Sequence, residues 1–155
     1  MGWNVDKAVV HAQTNAQSGS VGMCAKYTRQ AIEAGGVTLI RHNSAKDYGP
    51  SLEAVGFIAL NSCPIAYAKG DVAVIQGFAG HPHGHMQIFD GKQWISDFKQ
   101  YDFWPGRSYR KKQPSYIVYR FRDITPAPPS ELSAFGWLGT PAAADTSSVT
   151  QAAGS

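Results

Sequence analysis

Apolar residues recur at helical spacing in the first third of the chain and alternate with polar ones further on. Trp3, Ala8, Val9 and Ala12 make a modest apolar face that predicts a first helix from about Asn4 to Asn15. Gln17 to Gly19 break the pattern. Ser20 is a good N-cap, and Cys24, Tyr27, Thr28, Ala31 and Ile32 then share one stripe until Gly35 and Gly36 stop it. A second helix is therefore expected, with Cys24 in or near its first turn. Val37 to Pro50 reads as loop, and a short helix over Ser51 to Val55 should end at Gly56.

From Ala66 the period becomes that of strands. Four are expected, at Asp71 to Ile75, His85 to Phe89, Lys92 to Ser96 and Ser115 to Phe121. Asp90-Gly91 is a strong dipeptide for a two-residue hairpin turn, because both positions tolerate positive φ. Helices in a run followed by strands in a run imply an α+β fold, with N-terminal helices packed on an antiparallel sheet. After Thr125 come Pro-Ala-Pro-Pro, a small cluster of Phe135, Trp137 and Leu138, and an Ala/Ser/Thr tail. The expected organisation is one domain over 1–125, an extension over 126–139 and a disordered tail over 140–155.

Composition narrows the function. A chain of 155 residues, 43% of them hydrophobic, is long enough for one core that buries roughly two-thirds of the unfolded surface. A formal charge of +3 with only 16% charged residues is unlike the dense basic stripe of a nucleic-acid binder, which is set aside. No apolar run has the length of a signal peptide core or a membrane span, so the expectation is synthesis as a soluble cytoplasmic chain. Work outside the cell would need a dedicated secretion apparatus or lysis. The two cysteines are too few for a disulfide framework. Cys63 reads as a small buried hydrophobe, and a Cys24 to Cys63 bridge would silence Cys24.

Cys24 has the position of a nucleophile. A thiol attacks as thiolate, and the free N–H groups and dipole of a helix start favour negative charge, so its pKa is expected to fall. The alternative is a core cysteine on an amphipathic helix. A cysteine hydrolase also needs a neutral imidazole to take the thiol proton and return it to the leaving amine. His81, His83 and His85 compete for that role, and only His85 stands on a regular strand.

Four segments together resemble a known superfamily: Ser-Val-Gly-Met-Cys24 opening a helix, Lys-Gly-Asp71-Val-Ala-Val-Ile, Gly-His85-Met-Gln-Ile-Phe-Asp-Gly, and Trp-Ile-Ser-Asp97-Phe. They resemble the papain-like cysteine amidases of the CHAP and NlpC type, and most of all the type VI secretion amidase effectors. The likeness runs from about Val21 to Phe121. It implies a papain-like α+β core, a dyad carried by Cys24 and His85, Asp97 as the acidic residue that orients the imidazole, and peptidoglycan stem peptides or cross-links as substrate. It also implies an antibacterial toxin delivered to the periplasm of a target bacterium, with a cognate immunity protein plugging the Cys24 cleft as partner.

The role of Asp97 depends on register. A two-residue turn at Asp90-Gly91 pairs His85 with Ser96 and turns Asp97 to the other face, whereas a loop one residue longer, or a bulge, brings Asp97 opposite His85. In a regular hairpin, Gln100 or Asp102 becomes the orienting candidate. Asp90 and Asp71 are read as a turn and a strand-entry residue. In the implied mechanism Cys24 attacks an amide carbonyl, His85 protonates the departing amine, and water resolves the thioester; no metal or organic cofactor is required. The oxyanion would meet the Cys24 N–H and a donor from the preceding loop, for which Gln17 is the candidate. His83, Trp94 and Arg107 are candidates for the substrate wall, Arg107 within a basic run with Arg110, Lys111 and Lys112. The rivals are a metal site on the His81-Pro-His83-Gly-His85 run, a wall- or partner-binding domain without activity, and a phage lysin of the CHAP kind.

Overall fold

Helix α1 spans Val5–Asn15, capped by the Asn4 side chain, which accepts from the Lys7 N–H. Its expected face is the buried one: Trp3, Ala8, Val9 and Ala12 all turn inward. These elements come from a computed structural model that describes residues 2–60 and 66–122. Cys63, the 126–139 extension and the 140–155 tail lie outside the described residues.

Helix α2, Cys24–Ala34, begins later than Ser20 had suggested. Gly22 takes φ 74, which turns the chain just before the helix and leaves Cys24 as its first residue. A 3-10 turn at Ala45–Asp47 leads into α3, Gly49–Ala54, whose first turn holds Pro50, where a missing N–H costs no helical bond. Strand β1, Phe57–Ala59, was not foreseen, being too short to show alternation. Strands β2 (Val72–Ile75), β3 (His85–Phe89) and β5 (Tyr116–Phe121) fall where the pattern put them; β4 shrinks to Trp94–Ile95. Helix α4, Arg107–Lys112, is new and occupies the basic run.

The five strands form one antiparallel sheet in the order β1-β5-β2-β3-β4, which with the helices makes the fold α+β. Helices α1 and α2 cover one face, burying Trp3, Ile32, Val74, Met86, Ile88 and Ile95. The other face carries Ala73, Val118 and Trp94 under Tyr67, Phe89, Phe103 and Tyr116. Trp94, a candidate for the substrate wall, belongs to this second cluster, its ring 4.9 Å from Tyr67 and 5.3 Å from Phe103. It is a sheet-packing aromatic. All of β2 is buried, so it reads as an unbroken apolar run instead of an alternation.

The β3–β4 connection decides the site. Phe89 pairs with Trp94, so the loop is Asp90 to Gln93 and not the Asp90-Gly91 pair alone. Asp90 holds it, its carboxylate accepting from the N–H groups of Lys92 and Gln93 at 2.8 Å each. Lengthening by two residues keeps the faces unchanged, because side chains alternate with period two. Pairing with β3 then ends at Ile95. The chain turns back there, Ser96 N–H donating to Phe98 O and Gln100 N–H to Trp94 O at 2.8 Å, which sets Gln100 beside Trp94.

Candidate active site

The amide of Gln100 is held in one orientation. Its Nε2 donates to the carbonyl oxygens of Asp102 and Phe103 at 3.2 and 3.1 Å, so its Oε1 is the atom that faces His85 Nε2, 2.8 Å away. An amide oxygen only accepts, which places the imidazole proton on Nε2 and leaves Nδ1 as the basic nitrogen. The receiving loop is fixed in turn: Asp102 accepts from the Trp104 N–H and takes a bidentate pair from Arg110 of α4.

His85 opens β3 directly after Gly84. Gly84 sits at φ 70, and a Cβ there would collide with the Ile75 carbonyl oxygen, so the residue before the imidazole has to be glycine. His85 is 6% exposed. Burial pushes its pKa down to about 4, against the upward pull of the Gln100 hydrogen bond and the nearby Asp97 carboxylate.

Cys24 carries a free thiol at the start of α2, and it lines the same cleft as His85. The depressed pKa expected for it is not found. Burial pushes the thiol up to about 11; the N–H groups of Met86, Ala25 and Cys24 itself pull down, and Asp97 adds a further upward push. Desolvation outweighs the helix start, so the resting pair is a neutral thiol and a neutral imidazole.

Asp97 makes no hydrogen bond to His85, whose Nε2 meets Gln100 instead. Asp97 is 0% exposed, and one carboxylate oxygen accepts from the Val21 and Met23 N–H groups at 2.9 Å each and from the Ser20 hydroxyl at 3.5 Å. The other accepts from Ser96 Oγ at 3.2 Å. It sits past the point where β4 leaves β3, on the helix side, and clamps the loop that delivers Cys24. Asp71 does enter a strand, as an ion-paired residue: Arg120 of β5 reaches it at 2.8 and 2.9 Å.

The cleft holds about 1240 Å³ and is walled by residues of α2, the 41–48 segment, the 81–85 turn and α4. His83 and Arg107 both line it. Gln17 does not: its amide donates to Asn15 O and to the Tyr27 hydroxyl, each at 3.2 Å, so it is not placed as an oxyanion donor. Lys26 and Arg41 also reach the cleft, and with Arg107 they have no ion-pair partner among the described residues. The three histidines of the 81–85 run diverge: His81 packs on Phe78 and Tyr109, His83 Nδ1 bonds Ser44 Oγ at 2.6 Å, and His85 bonds Gln100. Among the described residues no three metal-ligating side chains converge.

No protein-family model matches the chain, and no curated protein does. Solved structures do. The chain is 52% identical to a chain of the type VI native effector–immunity complex Tae3–Tai3 from Ralstonia pickettii, covering 77% of itself and 100% of that chain at a TM-score of 0.72. With the selenomethionine form of the same complex it shares 54% identity over 73% of itself and 98% of that chain, at a TM-score of 0.67. The class is that of the type VI effectors, and within it the chain belongs to the Tae3 family.

Proposed function

We propose that the chain is a cysteine amidase that cuts an amide bond in the peptide part of peptidoglycan, delivered by a type VI apparatus into the periplasm of a competing bacterium. The observation that carries the reading is the thiol of Cys24 and the imidazole of His85 in one cleft, with the far nitrogen of the imidazole tied to a locked amide. That is the arrangement acyl transfer needs: a nucleophile, a base in a defined tautomer, and a third group that holds the base.

The steps follow from the protonation states. Nδ1 of His85 takes the Cys24 proton as sulfur adds to the carbonyl carbon, so thiolate and imidazolium exist only during attack. The imidazolium returns the proton to the departing amine, and the thioester is hydrolysed with His85 again as base. Burial disfavours the imidazolium at rest; the Gln100 oxygen and the Asp97 carboxylate favour it when it forms. Lys26, Arg41 and Arg107 suit a peptide that carries free carboxylates, as wall stem peptides do. The related effector was crystallised with Tai3, which supports a cognate immunity protein as partner of this chain.

The substrate is tested by digesting purified Gram-negative sacculi and weighing the released muropeptides. Fragments heavier by one water across a stem-peptide or cross-link amide are expected, and their masses identify the bond. Sacculi left whole by folded, reduced protein, or cut only in the glycan, would sink the reading.

A further inference from the structure

Tyr109 of α4 stands beside both members of the dyad. It is 6% exposed and lines the cleft with Cys24 and His85, and its ring lies 5.8 Å from that of His85. Phe78 and His81 pack on the ring at 5.0 and 5.1 Å, which fixes it. The wall around it is finished, but its hydroxyl is not: it bonds to no described residue. The residue is buried but its hydroxyl opens onto the cleft, so its hydrogen bond is left for whatever enters there. Packing alone would be served as well by phenylalanine. Burial, and after it the charge that a Cys24 thiolate would bring into the same cleft, push the phenol's pKa up to about 12. At every working pH it is a donor.

We infer that the Tyr109 hydroxyl is a catalytic hydrogen-bond donor to the oxygen of the scissile carbonyl, completing with the Cys24 N–H the oxyanion site for which Gln17 is not placed. As the Cys24 sulfur bonds to the carbonyl carbon, the C=O π pair moves onto oxygen, and the Tyr109 O–H and Cys24 N–H donate to it. When the pair returns, the C–N bond breaks and His85 gives its proton to the amine. The hydroxyl keeps its own proton throughout. Its partner is thus supplied by the substrate and strengthens as charge develops, which is the interaction that raises kcat instead of only lowering KM.

This inference rests on the amidase reading, and one experiment separates the two. Parent and Tyr109→Phe are compared on soluble muropeptides for kcat and KM, with melting temperature and the rate of Cys24 alkylation by iodoacetamide, a reaction that forms no oxyanion, measured alongside. Loss of one such donor is expected to lower kcat by about 100-fold, with KM, melting temperature and alkylation rate close to the parent. Equal kcat in a folded Tyr109→Phe beside an active parent overturns the role of Tyr109 and leaves the amidase reading standing. A fall in kcat matched by slower alkylation also overturns it, because the hydroxyl then acts on the thiol. An inactive parent removes the reading and this inference together.

Discussion

Gln100 is the residue on which the chemistry of His85 turns. Because the Gln100 amide is pinned by two backbone carbonyls, it fixes which nitrogen of His85 carries the proton. Gln100→Ala is expected to lower kcat by on the order of 10- to 100-fold, a share of the ~10²–10⁴ that a positioned base contributes. Gln100→Glu keeps an accepting oxygen but loses the donor to the Asp102 and Phe103 carbonyls, so it should lower kcat as well, and steady-state kinetics on muropeptides measures both variants. Equal activity of parent and Gln100→Ala would remove Gln100 from the mechanism. Cys24 and His85 could be singled out in the sequence because residue type and local context sufficed: a cysteine before an amphipathic stripe, a histidine heading an alternating strand. The sequence favours Asp97 over Gln100 as the partner of the imidazole and the structure has Gln100 there, because which of them meets the ring depends on where β4 parts from β3. Tyr109 carried no signal, lying inside a run of basic residues.

The elements divide in the same way. Strands β2, β3 and β5 and helix α1 were legible because each shows a clean apolar period over several residues. The short strand β1 and helix α4 were not, because a three-residue strand and a single-sided basic turn look like loop until something packs on them. The same holds for the hairpin: Asp-Gly favours a two-residue turn, but the Asp90 side chain takes the N–H groups of Lys92 and Gln93 and makes a wider loop. Between β2 and β5 the sheet is tied by Asp71 and Arg120, the carboxylate fully buried and the guanidinium partly exposed. Asp71→Ala removes this pair together with the bond that the carboxylate takes from the Ala68 N–H, so it should cost about 1–3 kcal/mol. Urea unfolding measures it, and a change below about 1 kcal/mol, the range of an exposed pair, would show that the pair contributes little.

For the molecule as a whole, the neutral dyad couples stability to pH. His85 has its ordinary pKa of 6.5 when unfolded and about 4 when folded, so between those values the unfolded chain binds the extra proton. Stability is fully present above pH 6.5 and falls as pH drops through 4, by about 3 kcal/mol in total. Cys24 acts at the other end: its folded value of about 11 lies above the ordinary 9.0, so its contribution is present below pH 9.0 and lost as pH rises through 11. Unfolding of the parent and of His85→Gln at pH 7 and pH 4 tests the acid side. The parent should lose more stability than the variant, and equal losses would place the titration elsewhere. The same burial that holds the imidazole neutral keeps it competent as a base well into the acid range. All of this depends on Cys24 being the nucleophile, and the most direct test is to digest the same soluble muropeptides with parent and with folded Cys24→Ala. The account predicts that the parent cleaves and Cys24→Ala yields no product above the level without enzyme. Cleavage by Cys24→Ala at a rate near the parent's would contradict it.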